Sequence, residues 1–203
     1  MTGDYGVDDP QTKTKQKNRP RLRRPGFISE LIQTLIFIVA ATVLFDMAIP
    51  RSLVDGRSMQ PTFYDGNRLI VSRLHYLVAD PQRGDIVVFN SLDSNEPGVM
   101  LIKRVIGLPG ETVEIRDNQI YVNGTQLIED YTFEACFDSR CPDELWQLTD
   151  DQYFVMGDNR NNSRDSRRFG PVPYSNIVGT VMFRYWPPAD FGIINGHAET
   201  SLP

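Results

Sequence analysis

The sequence predicts a mainly β fold, either barrel-like or an antiparallel sheet, preceded by one N-terminal membrane-spanning helix. Three observations support this prediction. Short β-branched and aromatic runs, separated by turn residues, fill most of the chain after residue 50. The pair Asn123-Gly124 is typical of a tight hairpin, because both residue types tolerate a positive φ. One apolar run, 31–49, is long enough to span a bilayer as a helix.

Residues 1–26 are predicted to form a disordered basic tail. They show no apolar periodicity and are rich in Lys, Arg, Pro and Gly, so they cannot bury enough surface to offset the entropy of ordering. The basic residues are Lys13, Lys15, Lys17, Arg19, Arg21, Arg23 and Arg24. Basic residues beside an apolar span favour retention of that flank in the cytoplasm. We therefore expect a cytoplasmic N-terminus.

The apolar run that follows is predicted to be a transmembrane helix within residues 27–50. As a helix it would extend about 28 Å, against a hydrocarbon core of about 30 Å. Its polar residues Gln33 and Asp46 lie near the ends, and Pro50 stops the helix. The alternatives are a cleaved secretory signal, a buried core helix and an interfacial helix. Residues 46–50 lack the small-x-small pattern of a cleavage site, so we favour a retained span.

Residues 51–186 are predicted to form one all-β domain. The predicted strands are 69–71, 86–89, 102–106, 112–115, 120–122, 153–156 and 181–183. Two polar segments, 90–98 and 129–149, are predicted to be loops or a small excursion from the main sheet. Residues 187–203 are predicted to be a loosely ordered C-terminal tail.

Composition limits the function classes. A length of 203 residues suits one domain with short appendages, and a net charge of -5 gives no general reason to bind nucleic acid. Cys136 and Cys141 match no zinc pattern, so we expect neither a metal nor a cofactor. Outside the cytosol this pair can form a small-loop disulfide, whereas in a reducing compartment it would be two free thiols.

A serine nucleophile would need a base, and histidine is scarce. His75 and His197 lie in no motif with a serine, cysteine or carboxylate, so we interpret both as structural or surface residues. Lysine is the alternative base. Lys103 is the only lysine after residue 17, and it lies in an apolar strand where desolvation disfavours the ammonium form. Taken alone, this strand favours a lysine that points outward, and Ser58 in its glycine-containing loop changes that balance.

Four sequence blocks occur in one order along the chain. They are SMQPT at 58–62, RGDIVVF at 83–89, KRVIGLPGE at 103–111 and GDNRNNSRDSR at 157–167. In this order they resemble the blocks of the type I signal peptidases. The resemblance covers nearly everything from Pro50 to Trp186, and four ordered blocks rarely arise by chance.

The resemblance implies a serine endopeptidase with Ser58 as nucleophile, Lys103 as general base and Ser163 orienting the lysine amine. The Ser58 backbone N–H would stabilise the oxyanion. Gly56 stands where some family members have a serine that donates a second hydrogen bond, so any second donor must be backbone or water. Phe169 stands where the family often has tryptophan. The resemblance also implies a structural ionic network of Arg104, Asp158, Arg160, Asp165 and Arg167.

The implied reaction is removal of N-terminal signal peptides from exported pre-proteins after small-x-small sites. The implied partners are secretory pre-proteins and the lipid bilayer, with the catalytic domain on the extracytoplasmic side. Four residues flank the dyad and are candidates for the substrate pockets, although each is equally plausible as ordinary core. They are Val54, Met59, Leu101 and Ile102.

Two other classes of function compete with this interpretation. The first is a single-pass membrane protein whose β domain binds a partner without catalysis. The second is another Ser-Lys protein, either a penicillin-binding-type acyl transferase or a self-cleaving regulator. Acyl transferases need a lysine three residues after the serine, where this chain has Pro61. A regulator of that kind is expected to carry a DNA-binding module in place of a membrane span.

Overall fold

The computed structural model describes residues 2–3, 26–48, 51–93, 98–137, 139–194, 196 and 200–201. It divides into two compact units, residues 1–41 and 42–203. Most of the tail that is predicted to be disordered lies outside the described residues, as do His197 and Pro50. Those predictions therefore stay predictions.

The first element is a 22-residue helix, α1 (Phe27–Ala48). It begins earlier than the predicted apolar run because Phe27 and Ile28 extend its apolar character and Glu30 suits the positive end of the helix dipole. The Thr34 hydroxyl donates to the Glu30 carbonyl at 2.9 Å, which satisfies a polar side chain inside the helix. The window Phe27–Leu44 has a mean hydropathy of 2.1, so by length and composition this helix can cross a membrane.

From residue 51 onward the described part of the chain contains fourteen strands, one short α-helix and four single-turn 3-10 helices. The strands are β1 (Arg51–Leu53), β2 (Arg68–Ser72), β3 (Ile86–Asn90), β4 (Met100–Gly107), β5 (Thr112–Arg116), β6 (Gln119–Val122), β7 (Thr125–Gln126), β8 (Ile128–Glu129), β9 (Glu144–Gln147), β10 (Gln152–Met156), β11 (Val172–Pro173), β12 (Ile177–Trp186), β13 (Gly192–Ile193) and β14 (Thr200–Ser201). The helix α2 (Ser166–Phe169) lies between β10 and β11.

These strands form three antiparallel sheets. The eight-stranded sheet has the order β1-β2-β12-β3-β4-β10-β11, with β13 added to β12. A four-stranded sheet has the order β7-β6-β5-β9, and β14 pairs with β8. The predicted fold class, mainly antiparallel β with one N-terminal apolar helix, is confirmed. Within the described ranges the strand order is an open path and does not close into a barrel.

The core lies on both sides of the large sheet. Ile86 and Val88 of β3 pack in one buried cluster with Phe63 and Leu69, while Val87 belongs to a second cluster on the other face. A strand that is buried on both faces has apolar residues at successive positions, as β3 has. A third cluster joins Ile106 of β4 to the small sheet, and the core therefore continues from one sheet into the other.

The hairpin prediction is confirmed. Val122 of β6 pairs with Thr125 of β7, which leaves Asn123 and Gly124 as a two-residue loop. Their φ angles are 50° and 79°, as a type I′ turn requires.

Two further predictions can be compared with the structure. The polar segment 129–149 was predicted to be a loop or a small excursion from the main sheet, and the excursion is what it contains: β9 lies at the edge of the small sheet, with three of its four residues exposed. The segment after residue 187 is not simply loose, because Gly192–Ile193 pairs with β12 and Phe191 packs on Phe183 with ring centroids 4.5 Å apart.

Candidate active site

Ser58 lies in the loop between β1 and β2, and the loop is fixed at several points. The Val54 N–H donates to the Asn67 carbonyl at 2.9 Å, and the Gly56 N–H donates to an Asp65 carboxylate oxygen at 3.0 Å. Gly56 has a φ of +96°, a conformation that favours glycine. Directly after Ser58, the Met59 side chain is buried in the core and anchors this side of the loop.

Lys103 lies on β4 opposite Val87 of β3. Its Nζ donates to Ser58 Oγ at 2.8 Å and to the Ile102 carbonyl at 2.7 Å. The side chain is 3% exposed, and both partners are neutral. The structure therefore brings together the two residues that the sequence predicts as nucleophile and base.

The electrostatic surroundings of Lys103 favour its neutral form. Burial is the largest cause and lowers the pKa of Lys103 to about 8. The carboxylates of Asp165 and Asp158 act in the opposite direction, and the charge of Arg164 lowers the pKa further. An amine with a pKa near 8 holds a usable fraction of free base at neutral pH, which an exposed lysine does not.

Ser163 lies beside the dyad without a hydrogen bond to Lys103. Gly157 has no room for a side chain, because the Ser163 hydroxyl and the Ser58 carbonyl oxygen occupy the position that a Cβ would take. Ser58 and Ser163 are therefore close neighbours around Gly157. Among the described residues, none forms a well-aligned hydrogen bond with the buried Ser163 hydroxyl. The predicted orientation of the lysine amine by Ser163 stays a prediction.

The loop 157–167 is tied directly to the nucleophile. The Asn159 N–H donates to the Ser58 carbonyl at 3.0 Å. No described residue accepts a hydrogen bond from the Ser58 backbone N–H, so this donor is available to an incoming oxygen. A backbone N–H in that position is the type of group that stabilises a tetrahedral oxyanion.

Arg104, the next residue on β4, is fully buried and fully paired. Its Nε and Nη2 donate to the two carboxylate oxygens of Asp158 at 2.9 and 2.8 Å. Its Nη1 donates to the carbonyls of Gly84 and Gly196 at 3.1 and 3.3 Å, and its guanidinium lies 3.9 Å from the Tyr131 ring centroid. This ion pair joins β4 to the loop that follows β10.

The other predicted ionic residues form two further pairs. Arg160 binds both carboxylate oxygens of Glu129, at 2.6 and 2.5 Å. Arg167 binds Asp165 through Nε at 2.8 Å and Nη2 at 2.7 Å, while the Gly157 N–H donates to Asp165 at 3.0 Å. Burial alone would raise the pKa of Asp165, but these hydrogen bonds and the charge of Arg167 hold it below its usual range.

Arg167 also connects this loop to the cysteines. Cys136 and Cys141 form a disulfide, and Arg167 Nη1 donates to Cys141 Sγ at 3.0 Å and to the Arg140 carbonyl at 3.0 Å. The disulfide, which the cysteine spacing left open, therefore holds the segment 136–141 against the Asp165–Arg167 pair.

An apolar groove of about 300 Å³ opens beside the dyad. Ser58 and Lys103 line it, together with three of the four predicted pocket residues, Val54, Leu101 and Ile102. The fourth, Met59, does not line the groove. Its side chain is 1% exposed and packs in the core with Phe63, because it points away from the Ser58 hydroxyl into the sheet.

Several residues of the site were not predicted from the sequence. Glu129 is the partner of Arg160, and its Tyr131 neighbour stacks on Arg104. The Thr62 hydroxyl donates to Asp158 at 2.5 Å, which links the end of the first block to the ionic network. Thr62 lies inside the first sequence block, 58–62, so a role in the site could have been predicted for it. Glu129 could not have been predicted, because it lies in an acidic segment without a strand pattern.

The arrangement is chemically suited to nucleophilic attack by an activated hydroxyl. A weakly basic amine touches a serine Oγ, a backbone donor is available next to it, and an apolar groove leads to both. In the described residues, no group of three or more His, Cys, Asp or Glu side chains could hold a metal ion.

Comparison with known proteins gives a family match over most of the chain. The family described as "Signal peptidase, peptidase S26" matches residues 28–186. A probable signal peptidase I-2 from Synechocystis sp. is 40% identical over 149 residues, which cover 72% of this chain and 67% of that protein. A signal peptidase I from Leptolyngbya laminosa is 35% identical over 196 residues, which cover 92% of this chain and 94% of that protein.

Solved structures are also similar to this chain. One of them is a crystal structure of a signal peptidase I from Enterococcus faecalis V583, with 38% sequence identity and a TM-score of 0.44. The alignment covers 51% of this chain and 97% of that chain.

Proposed function

Because this chain belongs to the peptidase S26 family of signal peptidases, we propose that it removes signal peptides by using Ser58 as nucleophile and Lys103 as general base. Family membership supports the class of reaction, a serine endopeptidase hydrolysis. The observation that supports the assignment of residues is the 2.8 Å approach of Lys103 Nζ to Ser58 Oγ.

The proposed reaction has two halves. In the first, neutral Lys103 takes the Ser58 proton as Oγ attacks the scissile carbonyl carbon, and the oxyanion accepts a hydrogen bond from the Ser58 N–H. Lys103 then gives its proton to the departing amine, which leaves an acyl-enzyme. In the second half, Lys103 takes a proton from water, the hydroxide attacks the ester, and Ser58 recovers its proton.

The groove beside the dyad supports binding of an extended substrate segment before the scissile bond, and we propose that small side chains are selected there. On one side of β4, Met100 and Leu101 pair with β3. On the other side β10 pairs with β4 only from Arg104 onward, so among the described residues this edge beside the groove has no strand partner. A substrate in extended form could align with this strand and present alternate side chains to the groove.

The proposed location follows from the order of segments. A basic tail precedes the apolar helix Phe27–Ala48, and basic flanks are retained in the cytoplasm. We therefore place the N-terminus in the cytoplasm, α1 across the bilayer and residues 51–186 on the extracytoplasmic side. Secretory precursors emerge on that side as extended chains.

The test compares variants of the full chain in detergent with a secretory precursor. Ser58→Ala and Lys103→Ala should each lower kcat/KM by at least about a thousandfold, because nucleophile and base act as one unit. His75→Ala is the control, since His75 is an exposed imidazole outside the site. It should cleave as well as the unchanged enzyme.

Folding is monitored by circular dichroism, so that a loss of activity is not confused with a loss of structure. Cleavage by folded Ser58→Ala at the normal rate would rule out the proposed dyad and leave a non-catalytic β binding domain as the better interpretation. Cleavage by Lys103→Ala alone would leave the nucleophile in place and require another base.

A further inference from the structure

A second cavity, of about 340 Å³, adjoins the active site and is lined by arginine. We call it the arginine cavity. Its lining residues are Arg140, Asn161, Asn162, Ser163, Arg164 and Arg168. Three of these six are arginines, and no Asp or Glu among the described residues lines the space, so it is a cationic site in a chain whose net charge is -5.

The cationic character is only partly compensated. No carboxylate of a described residue forms an ion pair with Arg140 or Arg168, and both side chains are exposed. Arg164 is paired, with Asp93 at 3.3 Å, so the uncompensated charge is that of Arg140 and Arg168. Glu134 lies nearby but accepts from Asn161 Nδ2 at 2.9 Å.

The segments that hold the arginines are rigidly attached. Asn161 accepts from the Phe137 N–H at 2.9 Å and donates to the Ala135 carbonyl at 2.9 Å. Arg167 holds the Arg140 carbonyl at 3.0 Å, next to the Cys136–Cys141 disulfide. Arg140 is therefore presented by a cross-linked loop, and its position against the loop 161–168 is fixed by backbone contacts.

Ser163 connects the arginine cavity to the nucleophile. Its hydroxyl is buried and lies, with the Ser58 carbonyl oxygen, around Gly157. The apolar groove is lined by a different set of residues, and the two cavities share no lining residue. Ser58 thus has an apolar cavity formed by β1 and β4 and, through Ser163, a cationic cavity formed by the loops 136–141 and 161–168.

An endopeptidase must hold the chain on both sides of the bond it cuts. This inference rests on the proposed function, in which the apolar groove takes the residues before the scissile bond. The residues after that bond then leave Ser58 towards Ser163 and the arginine cavity. We propose that Arg140 and Arg168 bind acidic side chains in the first residues of the released chain and so set a charge preference for the substrate.

The position of the arginines favours a peptide carboxylate over the phosphate of an anionic lipid. Ser163 lines the cavity and lies close to Ser58 around Gly157, so a released chain that follows the proposed direction passes the cavity in every turnover, as a lipid need not. Guanidinium groups bind planar carboxylates through paired hydrogen bonds. Two partly exposed ion pairs correspond to a preference of roughly three- to tenfold.

The test uses the full chain in detergent and precursors that share one signal peptide. They differ only at the second and third residues after the cleavage site, which are Glu-Glu, Gln-Gln or Lys-Lys. The unchanged enzyme should cleave the Glu-Glu precursor with a kcat/KM roughly three- to tenfold above Gln-Gln, mainly through KM, and Lys-Lys should be poorest. The Glu-Glu advantage should shrink in 0.5 M salt.

Variants identify the residues responsible. In Arg140→Gln/Arg168→Gln the Glu-Glu to Gln-Gln ratio should fall to about 1, and Arg168→Glu should improve the relative rate for Lys-Lys. Arg116→Gln is the matched control, since it removes one exposed arginine from β5 of the small sheet, and its ratio should equal that of the unchanged enzyme. Melting temperatures show whether the variants are folded.

Three results would overturn the proposal. The first is equal rates for all precursors with the unchanged enzyme. The second is a ratio that persists in the double arginine variant. The third is loss of binding to phosphatidylglycerol vesicles by that variant at an unchanged ratio, which would assign the cavity to lipid. Failure of the proposed function would look different, because Ser58→Ala would then cleave all three precursors or the unchanged enzyme would cleave none.

Discussion

Two neighbouring residues of β4 have contrasting environments. Lys103 and Arg104 are both buried and point to opposite sides of the strand, yet only Arg104 has a carboxylate as its direct partner. Lys103 Nζ contacts a hydroxyl and a carbonyl. The difference shows how one strand can hold a permanent cation on one side and, on the other, an amine whose pKa is lowered towards neutral pH.

The choice of residue type fits each side. Guanidinium stays protonated in proteins and offers a planar set of donors, which Asp158, two carbonyls and the Tyr131 ring satisfy. An ammonium group is a compact charge whose pKa falls when it is buried without a counter-ion. We therefore expect that a lysine at position 104 would leave part of the Asp158 and carbonyl hydrogen bonds unmade, and that an arginine at position 103 could not act as a base.

The largest effect on stability is expected from breaking the Arg104 side. Arg104→Met leaves the Asp158 carboxylate buried, with the Thr62 hydroxyl as its one remaining side-chain partner among the described residues, so we expect a loss of about 3–5 kcal/mol in the free energy of unfolding. Urea unfolding at pH 7 measures it. Arg116→Met, at an exposed position, should change the same quantity by less than about 0.5 kcal/mol.

A second variant separates two causes of this destabilisation, the loss of the ion pair itself and the burial of an unpaired Asp158 carboxylate. Arg104→Met/Asp158→Leu removes both charges, and it should be more stable than Arg104→Met alone because no buried carboxylate is left without its partner. If the double variant were less stable than the single one, the ion pair would not be the reason for the loss.

Lys103 and Arg104 also illustrate which features of the fold and the site can be predicted from the sequence. The block around Lys103 predicts an apolar strand, and the strand periodicity places neighbouring side chains on opposite faces. The fold class and the hairpin at Asn123-Gly124 follow from such local patterns, and both are confirmed. Local patterns suffice there because the signal and the structure lie in the same few residues.

Partners that are distant in the chain are a different matter. Glu129 reaches Arg160 from an acidic segment with no strand pattern, and Gly196 accepts from Arg104 although its segment was predicted to be loose. Met59 was predicted to line the pocket, but the direction of a side chain next to a turn is set by core packing. Such contacts depend on the tertiary arrangement of distant segments, which the periodicity of apolar residues does not predict.

An effect of opposite sign is expected on the Lys103 side. The folded pKa of Lys103 is lowered from 10.5 to about 8, so the folded state binds this proton less tightly than the unfolded state. The resulting cost to stability is fully present below about pH 8 and disappears as the pH rises through about 10.5. Lys103→Met should therefore increase the free energy of unfolding at pH 7, by about 3 kcal/mol at most.

Urea unfolding from pH 7 to pH 10.5 tests this prediction. The difference between Lys103→Met and the unchanged protein should narrow steadily above pH 8. Lys103→Met that is less stable at pH 7, by an amount independent of pH, would mean that the two hydrogen bonds of Lys103 outweigh its burial.

The pH dependence of cleavage has the smallest expected effect in free energy, and it reports the protonation of the Lys103 amine directly. If neutral Lys103 is the base, kcat/KM should fall about tenfold for each pH unit well below 8, and by about a hundredfold at pH 6.

Arg164 contributes to the low pKa of Lys103 by its charge, so Arg164→Gln should move the midpoint of this profile to higher pH. Arg116→Gln, which lies in the small sheet, should leave the midpoint unchanged. A rate that stays constant down to pH 5 would show that the group which accepts the Ser58 proton is not an amine, whatever its distance from the hydroxyl.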